Sequence, residues 1–151
     1  MFSLPGCNGE CRYVIPATLG EVSRATEAVR TVIAPRLTPE ECYAIEIGIS
    51  EVLTNIVKHG YSDMEGCSIT LCLCTNEREL LVEVQDTGKS IPPAILARSV
   101  EEVLNFDLQN LTTLPESGLG LALARLAFDE LTYQSNNGVN SLRLQKRLRA
   151  P

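Results

Sequence analysis

A polar face interrupts an otherwise apolar helix in the middle of the chain, and this feature constrains the fold more than any other. Residues 51–60 read Glu-Val-Leu-Thr-Asn-Ile-Val-Lys-His-Gly. An α-helix turns by about 100° per residue, so Glu51, Asn55 and Lys58 lie within roughly 60° of one another on one face. An unpaired carboxylate that points inward is expensive without a purpose. The pattern therefore predicts a ligand site on this face.

Two glycine-containing segments downstream extend the prediction. Asp86-Thr-Gly88 follows a predicted strand, and Gly118-Leu-Gly120 begins a predicted helix. The first turn of a helix carries unpaired N–H groups and the positive end of the helix dipole, which attract phosphate. A polar helix face, an Asp-x-Gly turn and a Gly-x-Gly helix start together predict a nucleotide site built from three separate segments.

Hydrophobic periodicity predicts where the helices and strands lie. The predicted order is a strand over 12–16, helices over 18–36 and 38–60, strands over 68–74 and 79–85, helices over 94–104 and 118–130, and strands over 131–135 and 139–147. This order implies a largely antiparallel sheet with helices on one face, an α/β two-layer sandwich. Residues 105–117 have no clear periodicity, and long irregular segments of this kind are often functional lids.

Local signals mark the ends of several elements. Capping boxes predict that the first two helices start at Thr18 and Thr38. Gly60 is a candidate left-handed cap at the end of the second helix. The sequence Asn136-Asn137-Gly138 indicates a tight hairpin before the last strand. His59, the only histidine in the chain, is interpreted as a structural residue of the helix end.

Length and charge limit the possible classes of protein. The 151 residues predict one folded domain over 12–148, after a flexible N-terminus over 1–11. The formal charge of −6 argues against a direct nucleic-acid partner, because nucleic-acid phosphates recruit basic faces. No apolar run approaches the ~20 residues needed to cross a bilayer, and the N-terminus lacks a basic-then-apolar leader. We therefore expect a cytoplasmic protein with no membrane association.

Six cysteines are present, but a chain with a full core does not need a disulfide scaffold. Cys7 and Cys11 are the only pair with ligand-like spacing, and two thiols without a second pair or a nearby histidine make a poor zinc site. We expect them to be reduced in a frayed N-terminus. Cys72 and Cys74 lie in an alternating apolar strand, where a free cysteine behaves as a small hydrophobic residue.

The three segments resemble the N, G1 and G2 boxes of the GHKL ATPase superfamily. Within it, the chain from about Arg12 to Leu148 is most similar to the small anti-sigma-factor serine-protein kinases. Glu51-Val-Leu-Thr-Asn-Ile-Val-Lys-His-Gly-Tyr61 resembles the N box of that family, and Gly118-Leu-Gly-Leu-Ala-Leu-Ala-Arg-Leu-Ala-Phe-Asp-Glu-Leu131 resembles its G2 helix. The resemblance implies the Bergerat ATP-binding fold, which agrees with the predicted order of elements.

The resemblance also implies roles for the polar residues. Asn55 would be a Mg²⁺ ligand, Glu51 would be the general base beside the γ-phosphate, and Lys58 would contact phosphate. Asp86 would accept a hydrogen bond from the adenine amino group, where Gly88 lets the backbone approach the ring. Each has an ordinary alternative. Glu51 could pair with Lys58, Lys58 could be solvated, Asn55 could cap a carbonyl, and Asp86 could belong to a simple turn.

Further nucleotide contacts are implied for the segments that follow the G1 and G2 glycines. The implied residues are Ile91, Ser117, Gly118, Leu119, Gly120, Leu121 and, through water, Ser141. Ser141 could equally point to solvent on its strand. The chain departs from the superfamily pattern at Ser90 and Ser117, where glycines are common, and it has no Lys or Arg between residues 105 and 117. These departures bear on closure of the predicted lid and on the rate of turnover more than on nucleotide binding.

By resemblance, the protein would use ATP and Mg²⁺ to phosphorylate a small anti-anti-sigma antagonist of the STAS fold, and it would hold a sigma factor inactive. Family members form homodimers through their first helices, and this helix offers Leu19, Val22, Val29 and Ile33. The alternative is a nucleotide-binding regulatory module that binds a partner without phosphotransfer. A detached gyrase-type or MutL-type ATPase domain, or a histidine-kinase catalytic domain, fits less well, since neither a transducer domain nor an acceptor histidine is evident.

Overall fold

The computed structural model describes residues 7, 9–62, 64–102 and 119–149. The strands in this part of the chain are β1 (Glu10–Pro16), β2 (Ser68–Thr75), β3 (Glu79–Asp86), β4 (Glu130–Asn136) and β5 (Val139–Arg147). They form one antiparallel sheet with the spatial order β1-β2-β3-β5-β4. The principal helices are α1 (Leu19–Ile33), α2 (Pro39–Asn55), α3 (Pro93–Leu96) and α4 (Leu119–Ala127).

The core lies between the sheet and helices α1, α2 and α4. Fully buried residues on α2 include Ile45 and Ile49, which share one apolar cluster with Leu71 of β2 and Val82 of β3. On α1 the buried residues are Val22, Ala25, Val29 and Ile33. Of the four apolar residues that the sequence offered as a dimer face on α1, only Leu19 is exposed, at 49%. The other three belong to the core.

The first two helices start where the sequence predicted. Thr38 accepts the N–H of Glu41 at 3.1 Å, and the carboxylate of Glu41 accepts the N–H of Thr38 at 3.2 Å, which completes a capping box. Thr18 accepts the N–H of Glu21 at 3.4 Å. That first box is only half formed, because the carboxylate of Glu21 pairs with Arg24 instead.

α2 does not end in a left-handed glycine at Gly60, as the sequence predicted. The helix widens instead into one π turn, Ile56–Gly60, a feature often found at functional sites. The next residue with a positive φ is Ser62, at 52°. The prediction was wrong because Gly60 provides a close backbone contact with Gly88 rather than a reversal of the chain.

α3 is shorter than the predicted helix over 94–104. The guanidinium of Arg125 on α4 donates to the carbonyls of Leu96 and Arg98, at 2.8 Å each. These carbonyls are therefore directed at a side chain instead of at the next helical turn. Residues 103–118, which include the predicted lid, lie outside the described residues.

α4 ends at Ala127 rather than at Glu130, where the sequence predicted its end. The N–H of Asp129 donates to the carbonyl of Gln145 on β5 at 2.8 Å. The chain has therefore joined the sheet by this point, and Glu130 is the first residue of β4.

The predicted hairpin joins β4 to β5. Asn137 and Gly138 have φ values of 54° and 80°, the left-handed pair that a two-residue turn of type I′ requires. Asn136 and Val139 are register partners on either side of it.

The N-terminal segment differs from its prediction. Glu10 and Cys11, which the sequence assigned to a flexible terminus, are the first two residues of β1. Cys7 forms a disulfide with Cys74, with the two Cα atoms 6.0 Å apart. The expectation that both cysteines are free thiols was therefore wrong. Cys74 lies opposite Glu10 in the sheet register, and Cys7 packs against Cys74 and Leu81.

We predict that Glu41→Gln destabilises the protein by about 0.5–1 kcal/mol at neutral pH, the range for a partly screened carboxylate at a helix N-terminus. The hydrogen bond from the N–H of Thr38 lowers the pKa of Glu41. The carboxyl of a glutamate in the unfolded chain has a pKa of about 4.3. Because the pKa of Glu41 is lower in the folded protein, its ionised carboxylate stabilises the fold above that pH, and the stabilisation is lost as the pH falls through the folded-state pKa. Chemical denaturation of the wild type and the variant between pH 3 and pH 7 measures the difference in their free energies of unfolding.

The matched control is Glu40→Gln, which removes an exposed carboxylate from the same helical turn but outside the capping box. The stabilising role of the Glu41 carboxylate would be contradicted if Glu41→Gln and Glu40→Gln lowered the free energy of unfolding equally. It would also be contradicted if the loss in Glu41→Gln were the same at pH 3 as at pH 7.

Candidate nucleotide site

A cavity of about 310 Å³ opens between the end of α2, the turn after β3 and the first turn of α4. Its walls are mostly apolar and include Val52, Leu121 and Leu142. A few polar side chains also line it, which are Asn55, His59, Asp86, Lys89, Ser90 and Tyr133. Apolar walls with a few convergent polar groups are typical of small-molecule sites.

Asp86, the last residue of β3, is held in one orientation at the cavity wall. One carboxylate oxygen, Oδ1, accepts the N–H of Gly88 at 2.9 Å and the side-chain amide of Asn140 at 2.8 Å. The same amide nitrogen donates to the carbonyl of Gly88 at 2.9 Å. Within the described residues, Oδ2 has no hydrogen-bond partner. The carboxylate therefore has one oxygen fixed by the protein and one available to a ligand.

A hydrogen-bonded tyrosine supports the turn that follows Asp86. The hydroxyl of Tyr61, which is buried, donates to the carbonyl of Ser68 at 2.7 Å and accepts the N–H of Thr87 at 2.8 Å. Tyr61 follows the π turn directly, so the end of α2 and the turn after β3 are joined here.

Gly88 is required by a close approach of two backbones. A Cβ at this position would lie 2.5 Å from the carbonyl oxygen of Gly60, closer than real Cβ atoms come. The N–H of Lys89 donates to that same carbonyl at 2.8 Å. The two segments predicted as separate motifs are therefore in direct contact.

The other end of the cavity brings α2 and α4 together. A Cβ at Gly120 would lie 2.6 Å from Nδ2 of Asn55 and 3.1 Å from Cβ of Glu51. The first turn of α4 therefore rests on these two side chains, which are one helical turn apart. Within the described residues, neither Glu51 nor Asn55 has a side-chain hydrogen bond or an ion pair, so the predicted pairing of Glu51 with Lys58 does not form.

The structure brings together most of the residues that the sequence singled out. Asn55, Asp86, Ile91 and Leu121 line the cavity. Gly88 and Gly120 make its close contacts, Glu51 lies next to Gly120, and Leu119 opens α4. Ser117 and Gly118 lie outside the described residues.

The side chains of Glu51, Lys58 and Ser141 do not line the cavity, and Glu51 lies instead beside Gly120. Lys58 is exposed. Ser141 lies on β5 between Asn140 and Leu142, and successive side chains of a strand point to opposite faces. Since Leu142 lines the cavity, Ser141 points to the other face of the sheet. Ser141 is therefore not placed to make the predicted contact with adenine.

No ligand role was predicted for four polar residues of the cavity wall, which are His59, Lys89, Ser90 and Tyr133, or for Asn140, which donates to Asp86 beside them. Asn140 is buried, with its oxygen accepting the hydroxyl of Ser135 at 2.7 Å. The hydroxyl of Tyr133 accepts the N–H of Ile91 at 2.9 Å, and burial raises the pKa of Tyr133. His59, interpreted from the sequence as structural, lines the cavity, as does Lys89. The alternation of β5 was the signal that could have identified Asn140.

The described residues contain no cluster of three or more His, Cys, Asp or Glu side chains that could hold a metal ion. Among the described helices, none has the length and apolar character needed to traverse a bilayer.

Residues 15–146 match the family described as the histidine kinase-like ATPase domain. The chain belongs to this family. The match extends from β1 to the end of β5 and so includes every part of the cavity described above. Family membership confirms the sequence-based resemblance and implies that the protein uses ATP.

Curated relatives carry more specific names. The chain is 27% identical over 110 residues to an anti-sigma F factor from Clostridium acetobutylicum, an alignment that covers 73% of this chain and 72% of that protein. It is 34% identical over 99 residues to the serine-protein kinase RsbW of Bacillus cereus, covering 65% of this chain and 59% of that protein. The chain thus matches only about three fifths of the length of the kinase.

A solved structure shares the fold. The RsbU and RsbW domains of Rv1364c from Mycobacterium tuberculosis superpose with a TM-score of 0.65 over 95% of this chain and 34% of that chain, at 19% sequence identity. The predicted two-layer α/β architecture, with a mostly antiparallel sheet and helices on one face, is therefore confirmed.

We predict that Asn140→Ala raises the dissociation constant for ATP by about tenfold, because a hydrogen bond to a charged group contributes roughly 1.5–3 kcal/mol and Asp86 would lose its fixed orientation. Ser141→Ala is the matched control, since it removes a polar side chain from the neighbouring position on the opposite face. Isothermal titration calorimetry measures both, with thermal melting to verify folding. Equal affinities for the two variants would contradict the assignment of Asn140.

Proposed function

We propose that this protein is an ATP-dependent serine-protein kinase and anti-sigma factor of a partner-switching system. The observation that carries the proposal is the contact of Gly120 with Asn55 and Glu51, because Asn55 lines a cavity that also presents Asp86. The names of the relatives support the same activity. A purely nucleotide-binding module would have no use for an unpaired carboxylate beside the site.

Adenine recognition is assigned to Asp86. Its free Oδ2 can accept a hydrogen bond from the exocyclic amine of adenine, whereas the carbonyl of guanine at that position would be repelled. The apolar side chains of Ile91 and Leu142 line the same cavity and can cover the ring. Because Oδ1 is already occupied by Gly88 and Asn140, the acceptor is oriented before the nucleotide arrives.

Asn55 is assigned to magnesium. Mg²⁺ prefers oxygen ligands and takes only one or two from protein at nucleotide sites, which suits a cavity with one amide and no acidic cluster among the described residues. Nδ2 of Asn55 lies against Gly120 of α4, and we assign the amide oxygen to the ion. When bound, the ion would neutralise part of the charge on the transferred phosphoryl group.

Glu51 is assigned as the general base. Its carboxylate takes the proton of a substrate serine hydroxyl as the serine oxygen forms a bond to the γ-phosphorus. The bond from that phosphorus to the bridging oxygen breaks, and ADP leaves with the electron pair. The first turn of α4 beside Glu51 supplies backbone N–H groups to the phosphates. Positioning and charge stabilisation account for most catalysis of this type.

The partners follow from the proposed activity. We assign as substrate an anti-anti-sigma protein of the STAS fold and as target a sigma factor, with the protein acting in the cytoplasm as a homodimer and without direct contact to nucleic acid. ATP can bias the choice of partner only if the two complexes bind nucleotide with different affinity. On α1, Leu19 is the accessible apolar residue for the dimer contact.

We predict that Asn55→Ala loses Mg²⁺-dependent nucleotide binding, whereas Glu51→Gln keeps binding but lowers phosphotransfer by at least about a hundredfold, the lower range for general base catalysis. Labelled ATP and candidate STAS proteins, followed by detection of phosphoserine, measure transfer. Ser141→Ala serves as the control and should transfer normally. Normal transfer by both site variants would reject the assigned roles, and ATP binding by wild type without transfer to any candidate would favour the regulatory module.

A further inference from the structure

We infer that Tyr133 is a specificity-determining residue of the nucleotide site, whose hydroxyl donates a hydrogen bond to a ring nitrogen of adenine next to the exocyclic amine. The inference rests on the proposed function, because it adds a second contact to the base that Asp86 is assigned to bind. It is carried by the position of the hydroxyl near Asp86, by its unused hydrogen, and by the use of neighbouring donors within the protein.

The hydroxyl of Tyr133 lies at the turn that follows Asp86. Tyr133 is on β4, and its oxygen accepts the N–H of Ile91, which lies beyond the end of β3, at 2.9 Å. Because β5 lies between β3 and β4 in the sheet, the side chain of Tyr133 extends across β5 to reach this turn. Tyr133, Ile91 and Asp86 line the same cavity. Burial and, to a smaller extent, the charge of Asp86 raise the pKa of Tyr133, which agrees with this position.

The hydroxyl has a hydrogen left to donate. In the part of the chain that the structure describes, it accepts the N–H of Ile91 and donates to no protein group. The hydroxyl of Tyr61 differs in this respect, because it donates to the carbonyl of Ser68 at 2.7 Å. A tyrosine O–H that is removed from bulk water usually has a partner. The free hydrogen of Tyr133 therefore indicates an acceptor on the ligand.

Other donors close to Asp86 are already used within the protein. The side-chain amide of Asn140 donates to Asp86 at 2.8 Å and to the carbonyl of Gly88 at 2.9 Å, which accounts for both of its hydrogens. Four backbone N–H groups of the turn also donate to protein oxygens, which are those of Thr87, Gly88, Lys89 and Ile91. Further polar side chains of the cavity wall are exposed to solvent, which are those of His59, Lys89 and Ser90. Among these groups, Tyr133 is the half-buried donor with a hydrogen left for adenine.

The pair of Asp86 and Tyr133 matches the donors and acceptors of adenine. The exocyclic amine of adenine donates, and the acceptor nitrogens N1 and N7 lie on either side of it. An acceptor for the amine beside a donor for one of these nitrogens gives two hydrogen bonds to one edge of the base. Guanine carries a carbonyl in place of the amine and a hydrogen on N1. It would lose the bond to Asp86 and, if N1 is the nitrogen contacted, the bond to Tyr133 as well.

The test uses Tyr133→Phe, which removes the hydroxyl and keeps the ring. Calorimetry compares the binding of Mg-ATP with that of its 1-deaza and 7-deaza analogues, in which carbon replaces N1 or N7, and thermal melting verifies that each variant folds. We expect Tyr133→Phe to weaken Mg-ATP binding by about fivefold, the effect of one neutral hydrogen bond. For one of the two analogues the variant and the wild type should bind equally, because that analogue lacks the acceptor.

Tyr61→Phe is the matched control. It removes a hydroxyl that also accepts an N–H of this turn, from Thr87, but whose hydrogen is already bound by Ser68. Its effect acts through the turn alone, so it should change the affinity for all three nucleotides by the same factor. The wild type gives a measurement without any variant, because it should bind the analogue that lacks the contacted nitrogen about fivefold more weakly than Mg-ATP.

Two results would overturn the inference. The first is unchanged Mg-ATP affinity in Tyr133→Phe. The second is a loss in that variant that is the same for Mg-ATP and both analogues, as expected for a residue that only supports the turn. Failure of the wild type to bind Mg-ATP would instead reject the proposed function itself, so the two failures are distinguishable.

Discussion

The contact between the backbones of Gly60 and Gly88 is the constraint on which the rest of the site depends. No side chain fits between them, since a Cβ on Gly88 would lie 2.5 Å from the Gly60 carbonyl oxygen. The same oxygen accepts the N–H of Lys89, so the end of α2 and the turn after β3 form one rigid unit. Asn55 belongs to α2 and Asp86 to β3, and both line the cavity, so this contact fixes the two elements that carry them relative to each other.

Helix α2 serves the core and the site at the same time. Ile49 is fully buried in the core, while the side chain of Asn55 contacts Gly120 of α4. Two glycines allow the helices to approach closely enough for this: a Cβ on Gly48 would lie 3.1 Å from Cα of Ala124, and one on Gly120 would strike Asn55. Core packing thus holds the polar face in place, so an unpaired amide can persist at the cavity wall.

Most strands and helices, and the residues Asn55 and Asp86, could be predicted because each is encoded by a local motif or periodicity. The alternation of β5 places Asn140 on the same face as Leu142, but its pairing with Asp86 depends on the register of β3 and β5, which no local motif encodes. Choosing Ser141 instead placed the contact on the wrong face, since a shift of one residue in a strand reverses the side-chain direction. The disulfide of Cys74 likewise joins it to Cys7, which is 67 positions away in the sequence, and no local pattern encodes such a pairing.

The central claim is that the cavity is an adenine-nucleotide site, and the most direct measurement is calorimetric titration of the wild-type protein with Mg-ATP and, separately, with Mg-GTP. The account predicts saturable binding of Mg-ATP with a concentration-dependent rise in melting temperature, and no measurable binding of Mg-GTP, because the carboxylate of Asp86 accepts from an amine and repels a carbonyl. Absence of heat and of thermal protection with Mg-ATP, or equal affinity for the two nucleotides, would contradict it.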